Sequence, residues 1–353
     1  MYLSPSSRAG ESLTNVYFKQ ITTKDKIHAD AKELLKTVVE KEGILLERKV
    51  PIKVHFGEEK NVTYIGPSYY EGIIDYLKEN EIESCFIETN VLYRGERNTR
   101  RKHILLAYRH GFTKIPVVIA DGEIGEEYTN IEINKKNLSS CKIAQKIAEQ
   151  KQMIVVSHFK GHIGAGFGGA IKQLGMGCAA RGGKLEQHTN TIPIINPIEC
   201  NKCNRCKKQC PVDALNIGLL PRIDKKKCIG CASCISICPE GAIKINWLGS
   251  ISKNFYERMA EYAYAAHNGK KNIYLTFAIN ITRNCDCEGH KMKPFLKDLG
   301  IFASTDPVAI DMACLDKLSE REKRKIFHRG RFILDYAQEI GLGEKEYNLI
   351  ELL

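Results

Sequence analysis

Eight of the fourteen cysteines in this 353-residue chain fall between Cys200 and Cys238, in two runs of one design. Cys200-x-x-Cys203-x-x-Cys206-x-x-x-Cys210-Pro211 overlies Cys228-x-x-Cys231-x-x-Cys234-x-x-x-Cys238-Pro239 at a period of 28, with Ala214 over Ala242 and Leu215 over Ile243. Self-similarity of this kind is an internal duplication. Thiolates spaced two, two and three apart and followed by proline are the bacterial pattern for 4Fe–4S centres, in which the fourth cysteine of each run serves the other cluster. One cluster then takes Cys200, Cys203, Cys206 and Cys238, and the other Cys228, Cys231, Cys234 and Cys210. Structural zinc needs only two Cys-x-x-Cys pairs and gives the third cysteine of each run and the two prolines no purpose.

A second group of residues has chemistry of its own. Cys285-Asp286-Cys287 follows an apolar run at 273–281, where a strand of an open α/β sheet would end and ligands bind. Two thiols and a carboxylate in three residues admit a further metal or cluster site, a redox or catalytic thiol pair, or structural cysteines. In residues 157–170, Gly164, Gly166 and Gly169 spell G-x-G-x-x-G between an apolar run and a short helical one. Glycines in a strand-to-helix turn let backbone N–H groups meet a phosphate, so a nucleotide or flavin-type cofactor, another anion, or close packing alone would each explain them. Lys160, His162, Lys172, Lys184 and His188 crowd the same stretch and suit an anionic ligand. Asp306-Pro307 reads as a helix start with Asp306 as cap. Asp311 would face the strand ends together with the Cys285 loop. Cys85 and Cys314, in apolar surroundings, read as core.

The elements that must position these groups are legible from periodicity. Ile27, Ala31, Leu34, Leu35, Val38 and Val39 recur at helical spacing and Gly43 ends the run. Apolar runs at 50–56, 85–87, 116–120, 153–156 and 273–277 predict strands, separated by helical patterns at 69–78, 99–110 and 138–150. Strands apolar on both faces and alternating with helices imply an α/β fold, a mostly parallel sheet with helices on both faces. The duplicated segment interrupts it. The expected organisation is an α/β domain in two parts, 1–197 and 247–353, with a small α+β dicluster ferredoxin-like insertion at 198–246 between a strand-like 191–195 and a returning helix at 252–267.

Composition bounds the function. Lys and Arg number 53 against 42 Asp and Glu, spread along the chain rather than gathered in a basic tail, so nucleic acid is not expected. No apolar stretch reaches the ~20 residues of a membrane span. The first eight residues carry no secretory pattern, so a cytoplasmic address is expected, where cysteines serve metals more often than disulfides. The run Lys225-Lys226-Lys227 before Cys228 reads either as an ordinary solvated loop or as a docking surface for a soluble, acidic redox partner.

Residues 89–97, Lys160-Gly161-His162, 166–177, His188, Cys285-Asp286-Cys287 and 304–311 together resemble the domain-of-unknown-function 362 family over most of the chain. Members of that family often carry an inserted dicluster ferredoxin module. The resemblance implies a ligand pocket shared by these loops and leaves the reaction unassigned. The expected function is that of an iron–sulfur oxidoreductase whose two 4Fe–4S clusters relay single electrons between a soluble partner and a small molecule, metal or organic redox cofactor in the α/β domain. A non-enzymatic electron carrier, or a protein that delivers metal or clusters, is the other class the residues admit.

Overall fold

The computed structural model describes residues 13–188, 192–245 and 253–352. The N-terminal eight residues, Thr191, Ser252 and the expected boundary at 246 lie outside them. One eight-stranded sheet organises the chain, in the order Tyr347–Leu352, Thr14–Gln20, Gly300–Ser304, Ile273–Ala278, Ile154–His158, Ile52–Lys53, Phe86–Glu88, Val117–Ile119. Within it only Gly300–Ser304 runs against its neighbours, so the fold is α/β with a mostly parallel sheet.

Alternate residues of the central strands enter two cores. Tyr274 and Ala278 join the helices Ala170–Gly175, Lys253–His267, Pro307–Arg321 and Arg331–Glu339 on one face. Ile273, Leu275 and Phe277 join Ile27–Lys41 and Glu71–Glu79 on the other. Each fully buried aliphatic or aromatic side chain contributes roughly 1.5–3 kcal/mol, which is why these runs carry no polar face. The first helix buries the expected Ile27, Ala31, Leu34, Leu35 and Val38, and Gly43 follows its end at a φ of +60°.

One expected helix is instead a strand. Residues 138–150 place Ser140–Ala144 in an antiparallel ladder with Tyr128–Glu132, followed by the short helix Gln145–Ala148. Cys141 and Ile143 are buried and Lys142 between them is not, so the local period is two, and the apolar residues at its ends had given it the look of a helix.

The cysteine duplication is repeated in three dimensions. Each half is a strand, a five-residue helix and a strand: Ile194–Ile195, Arg205–Gln209 and Leu215–Asn216, then Arg222–Ile223, Ser233–Ile237 and Ile243–Lys244. Each helix is preceded by a left-handed residue, Asn204 or Ala232, both with φ of 59°. The halves exchange strands, Ile194–Ile195 pairing with Ile243–Lys244 and Leu215–Asn216 with Arg222–Ile223. Ile194–Ile195, expected in the first α/β part, therefore belongs to the ladders of the cysteine segment. Lys225, Lys226 and Lys227 are exposed. Among the described residues no helix is long and apolar enough to cross a membrane.

Candidate functional site

Because the strands Ile52–Lys53, Phe86–Glu88, Ile154–His158 and Ile273–Ala278 run parallel, the loops leaving their carboxyl ends converge. There they enclose a cavity of about 400 Å³ lined by His55, Glu88, His162, Lys172, Lys184, His188, Cys285 and Cys287, with Leu92, Tyr93, Met176 and Phe255 as apolar walls. Such a crevice is where open α/β sheets place ligands. The glycine-rich stretch reaches it as a hairpin, Lys160–His162 against Gly166–Gly168, rather than as a strand-to-helix turn. Gly161 lies against the other strand's loop: its N–H bonds the Thr282 carbonyl at 2.8 Å, and a Cβ there would sit 2.1 Å from the Arg283 carbonyl oxygen. That approach brings Lys160 and His162 beside Cys285.

The Cys285 loop is fixed by its middle residue. Asp286 turns away from the two thiols and is fully buried, bonded to Lys160 Nζ and His158 Nδ1, both at 2.8 Å. Burial alone would raise its carboxyl, but His158 and Lys160 outweigh that and hold it well below the usual range. The expected role of Asp286 as a ligand beside the cysteines is thus replaced by a positioning one. Cys285 and Cys287 share the other side of the loop. Their donor atoms and a ring nitrogen of His162 lie within 4.8 Å of one another, a set able to hold a metal ion. Lys172 Nζ donates to Cys285 Sγ at 3.3 Å. The hydrogen bond with Cys287, and then the charges of Lys172 and Lys160, outweigh burial and hold the Cys285 thiol well below its ordinary range. The same bond, with burial, pushes Cys287 well above it. Burial, then Lys172, lowers His162 to about 3 and His188 to about 4, so both rings are neutral.

Other candidates sit elsewhere or act differently. Gly164 lines the cavity. Gly166, at φ +79°, and Gly169 serve close packing, since a Cβ on them would meet Gly330 N at 2.4 Å and Asp311 Oδ1 at 2.2 Å. Asp311 does not line the cavity. Its carboxyl oxygens accept from the N–H groups of Ala170 and Ile171 at 2.7 and 3.0 Å, so the helix start that a phosphate was expected to reach is already filled by the protein's own side chain. Asp306 caps Pro307–Arg321 as expected, accepting from Val308 and Ala309.

Burial raises the Asp311 carboxyl to about 7, against opposition from its two N–H donors. A carboxyl raised on folding stabilises most below its unfolded pKa of 3.8, and that contribution is lost as pH rises through about 7. Asp311→Ala should therefore cost about 1–3 kcal/mol by orphaning buried donors, and more at pH 5 than at pH 8. Thermal unfolding at the two pH values checks this, and a penalty that grew with pH would contradict it.

Lys53 and His55 join the site without having been singled out, whereas Tyr93 and Arg97 belong to the 89–97 stretch that the resemblance placed at the pocket. His55, Glu88, Arg97 and Lys53 form one polar network, the first three lining the cavity and Lys53 fully buried. Lys53 Nζ bonds Glu88 at 2.8 Å, and Arg97 bonds Glu58 at 3.1 Å, the Tyr93 hydroxyl at 2.7 Å and His55 at 3.1 Å. The signal at Lys53, His55 and Glu88 was positional, for each stands in or just beyond a strand run. Lys184 donates to Thr89 Oγ1 and the Ala179 carbonyl, both at 2.6 Å, and burial lowers it to about 8.

The cysteine segment gathers its sulfurs across the two halves. Cys200, Cys203, Cys206 and Cys238 line one small cavity with Ile195 and Ile217. Burial, and then the sulfurs of Cys238, Cys200 and Cys203, raise Cys206; burial, and then Cys231 and Cys210, raise Cys228. Helix Arg181–His188 lies between this segment and the main cavity. A Cβ on Gly182 would sit 3.2 Å from Cys231 Cα, while Lys184 and His188 of the same helix line the cavity. Leu92, a cavity wall, and Leu185 share an apolar cluster with Cys206 and Cys234.

This is a mixed α/β protein with a Cys/His group in the crevice at its strand ends. Residues 50–316 match the family described as domain of unknown function (DUF362), and the chain belongs to that family. No curated protein matches it in sequence. Among solved structures it is similar to a structural-genomics protein from Thermotoga maritima, at 10% identity and a TM-score of 0.43, covering 85% of this chain and 59% of that one. It is also similar to the lactate racemase apoprotein from Thermoanaerobacterium thermosaccharolyticum, at 12% identity and a TM-score of 0.45, covering 86% and 57%. The chain thus spans less than three-fifths of either relative.

Proposed function

We propose that the chain is an iron–sulfur redox protein that exchanges single electrons between its cysteine segment and a small molecule held in the strand-end cavity. Two sets of four thiolates, Cys200, Cys203, Cys206 and Cys238, and Cys228, Cys231, Cys234 and Cys210, would each hold a 4Fe–4S cluster, and clusters of this kind supply one-electron storage. The donor chemistry fits. Each set mixes cysteines from both halves, and the first already surrounds a small cavity. The observation that carries the reading is the shared helix: Gly182 of Arg181–His188 packs on Cys231 while Lys184, about 3 Å further along the helix axis, lines the main cavity. The protein's own residues then bind and orient the ligand. The apolar walls exclude water, Lys172 and Lys184 offer ammonium groups, and the neutral rings of His162 and His188 offer hydrogen bonds.

Anaerobic titration with dithionite tests this. The chain should take up about two electrons, one per cluster, with low-temperature EPR signals of two interacting reduced centres. A protein that takes up none, with zinc in these positions, would overturn the proposal.

A further inference from the structure

The geometry points to Cys285 and Cys287 as a redox-active dithiol that reduces a small disulfide in the strand-end cavity, a reading that deepens the proposed function and rests on it for its electrons.

Three neighbouring groups prepare Cys285 as a nucleophile. Lys172 Nζ at 3.3 Å and the Cys287 backbone N–H at 3.5 Å both donate to its sulfur, and Cys287 Sγ lies within 4.8 Å. Cationic and N–H donors at a cysteine sulfur favour the thiolate, the attacking form. The anchoring of Asp286 by His158 and Lys160 keeps both sulfurs on the cavity side of the loop. Cys285 and Cys287 both line that cavity, so a substrate in it meets them directly.

The same geometry works against a metal. An ammonium in contact with Cys285 repels a cation at the same sulfur. His162 Nδ1 accepts from the N–H groups of Gly164 and Ala165 at 3.1 and 2.8 Å. A neutral imidazole has one lone-pair nitrogen, so that lone pair is committed, and Nε2 carries the proton as a donor rather than a ligand. The chemistry that remains is thiol–disulfide exchange. The Cys285 thiolate attacks one sulfur of R–S–S–R, forming a mixed disulfide and releasing one R–S⁻. Cys287 then attacks Cys285 Sγ, closing the Cys285–Cys287 disulfide and expelling the second R–S⁻, which takes up the Cys287 proton. The substrate gains two electrons and the cysteine pair loses two. Restoring the pair takes two electrons and one proton, and single-electron supply is the role proposed above for the cysteine segment.

The full chain, purified anaerobically, is treated with bis(2-hydroxyethyl) disulfide and mapped by peptide mass. The parent should release about two thiols per chain, the count the exchange requires, and carry a Cys285–Cys287 disulfide. Cys287→Ser should stop at a mixed disulfide on Cys285, and Cys285→Ser should form none at Cys287. Lys172→Met should move the pH midpoint of adduct formation upward by about one unit, the size of shift expected when one charge-assisted donor is lost. Unreactive Cys285 in the parent would overturn the inference, as would a stoichiometric metal other than iron that disappears from the Cys285→Ser, Cys287→Ser double variant. Iron and sulfide are counted in the same samples. Their absence alongside a reactive Cys285 sinks the iron–sulfur reading and leaves the thiol chemistry standing, whereas the reverse pattern sinks only the thiol chemistry.

Discussion

Asp286→Ala should lower the unfolding free energy by about 3–5 kcal/mol, the size of effect seen when one partner of a buried ion pair is removed. Lys160 and His158 lie beneath the cavity almost without solvent, and both point at this carboxylate. Without it two buried groups lose their acceptor. The loop between the sheet and the two thiols loses its anchor with them, so Cys285 should also lose its selective reactivity. Asp286→Asn, which keeps the shape but not the charge, should fall between parent and Ala. Denaturant midpoints at unchanged slope read the loss, and a loss below about 1 kcal/mol, the scale of a surface pair, would show that the loop is held by something else.

Cys210→Ser should remove about half of the bound iron, one of two equal clusters. The cluster lost should be the one held by Cys228, Cys231 and Cys234, not the one that neighbours Cys210 in sequence. The reason is the strand exchange between halves, which places the end of each run beside the other half. Cys210 is among the sulfurs that act on Cys228, and Cys238 among those that act on Cys206. EPR of the reduced variant should keep one signal, and loss of the signal belonging to Cys200, Cys203 and Cys206 would contradict the crossed arrangement.

The sheet was legible in the sequence where strands are buried on both faces. Ile273–Ala278 and Ile154–His158 read as continuous apolar runs, because each face meets its own core. Thr14–Gln20 and Tyr347–Leu352 were missed. Tyr347–Leu352 is an edge strand of the sheet and Thr14–Gln20 the one beside it; Lys19, Asn348 and Glu351 interrupt their apolar runs, and only long-range pairing makes the strands. The duplication in the cysteine segment was legible to the residue, and its period of 28 reappears as two matching strand–helix–strand halves. The cavity was legible only in part. His162, Lys172, Cys285 and Cys287 stand in conspicuous local patterns, whereas His55 belongs to the site through its contact with Arg97, more than 40 positions away in the chain. Asp311 shows the converse failure. A carboxylate near the strand ends looked available for a ligand, and nothing local to it in sequence revealed that the Ala170 and Ile171 N–H groups would claim it.

The most direct measurement is native mass spectrometry of anaerobically purified chain, paired with metal and acid-labile sulfide analysis. The account predicts a mass increment equal to two 4Fe–4S clusters, about eight iron and about eight sulfide per chain, with no other stoichiometric metal and with Cys285 and Cys287 free to be alkylated. A chain carrying zinc on the duplicated cysteines, or no sulfide, would contradict it.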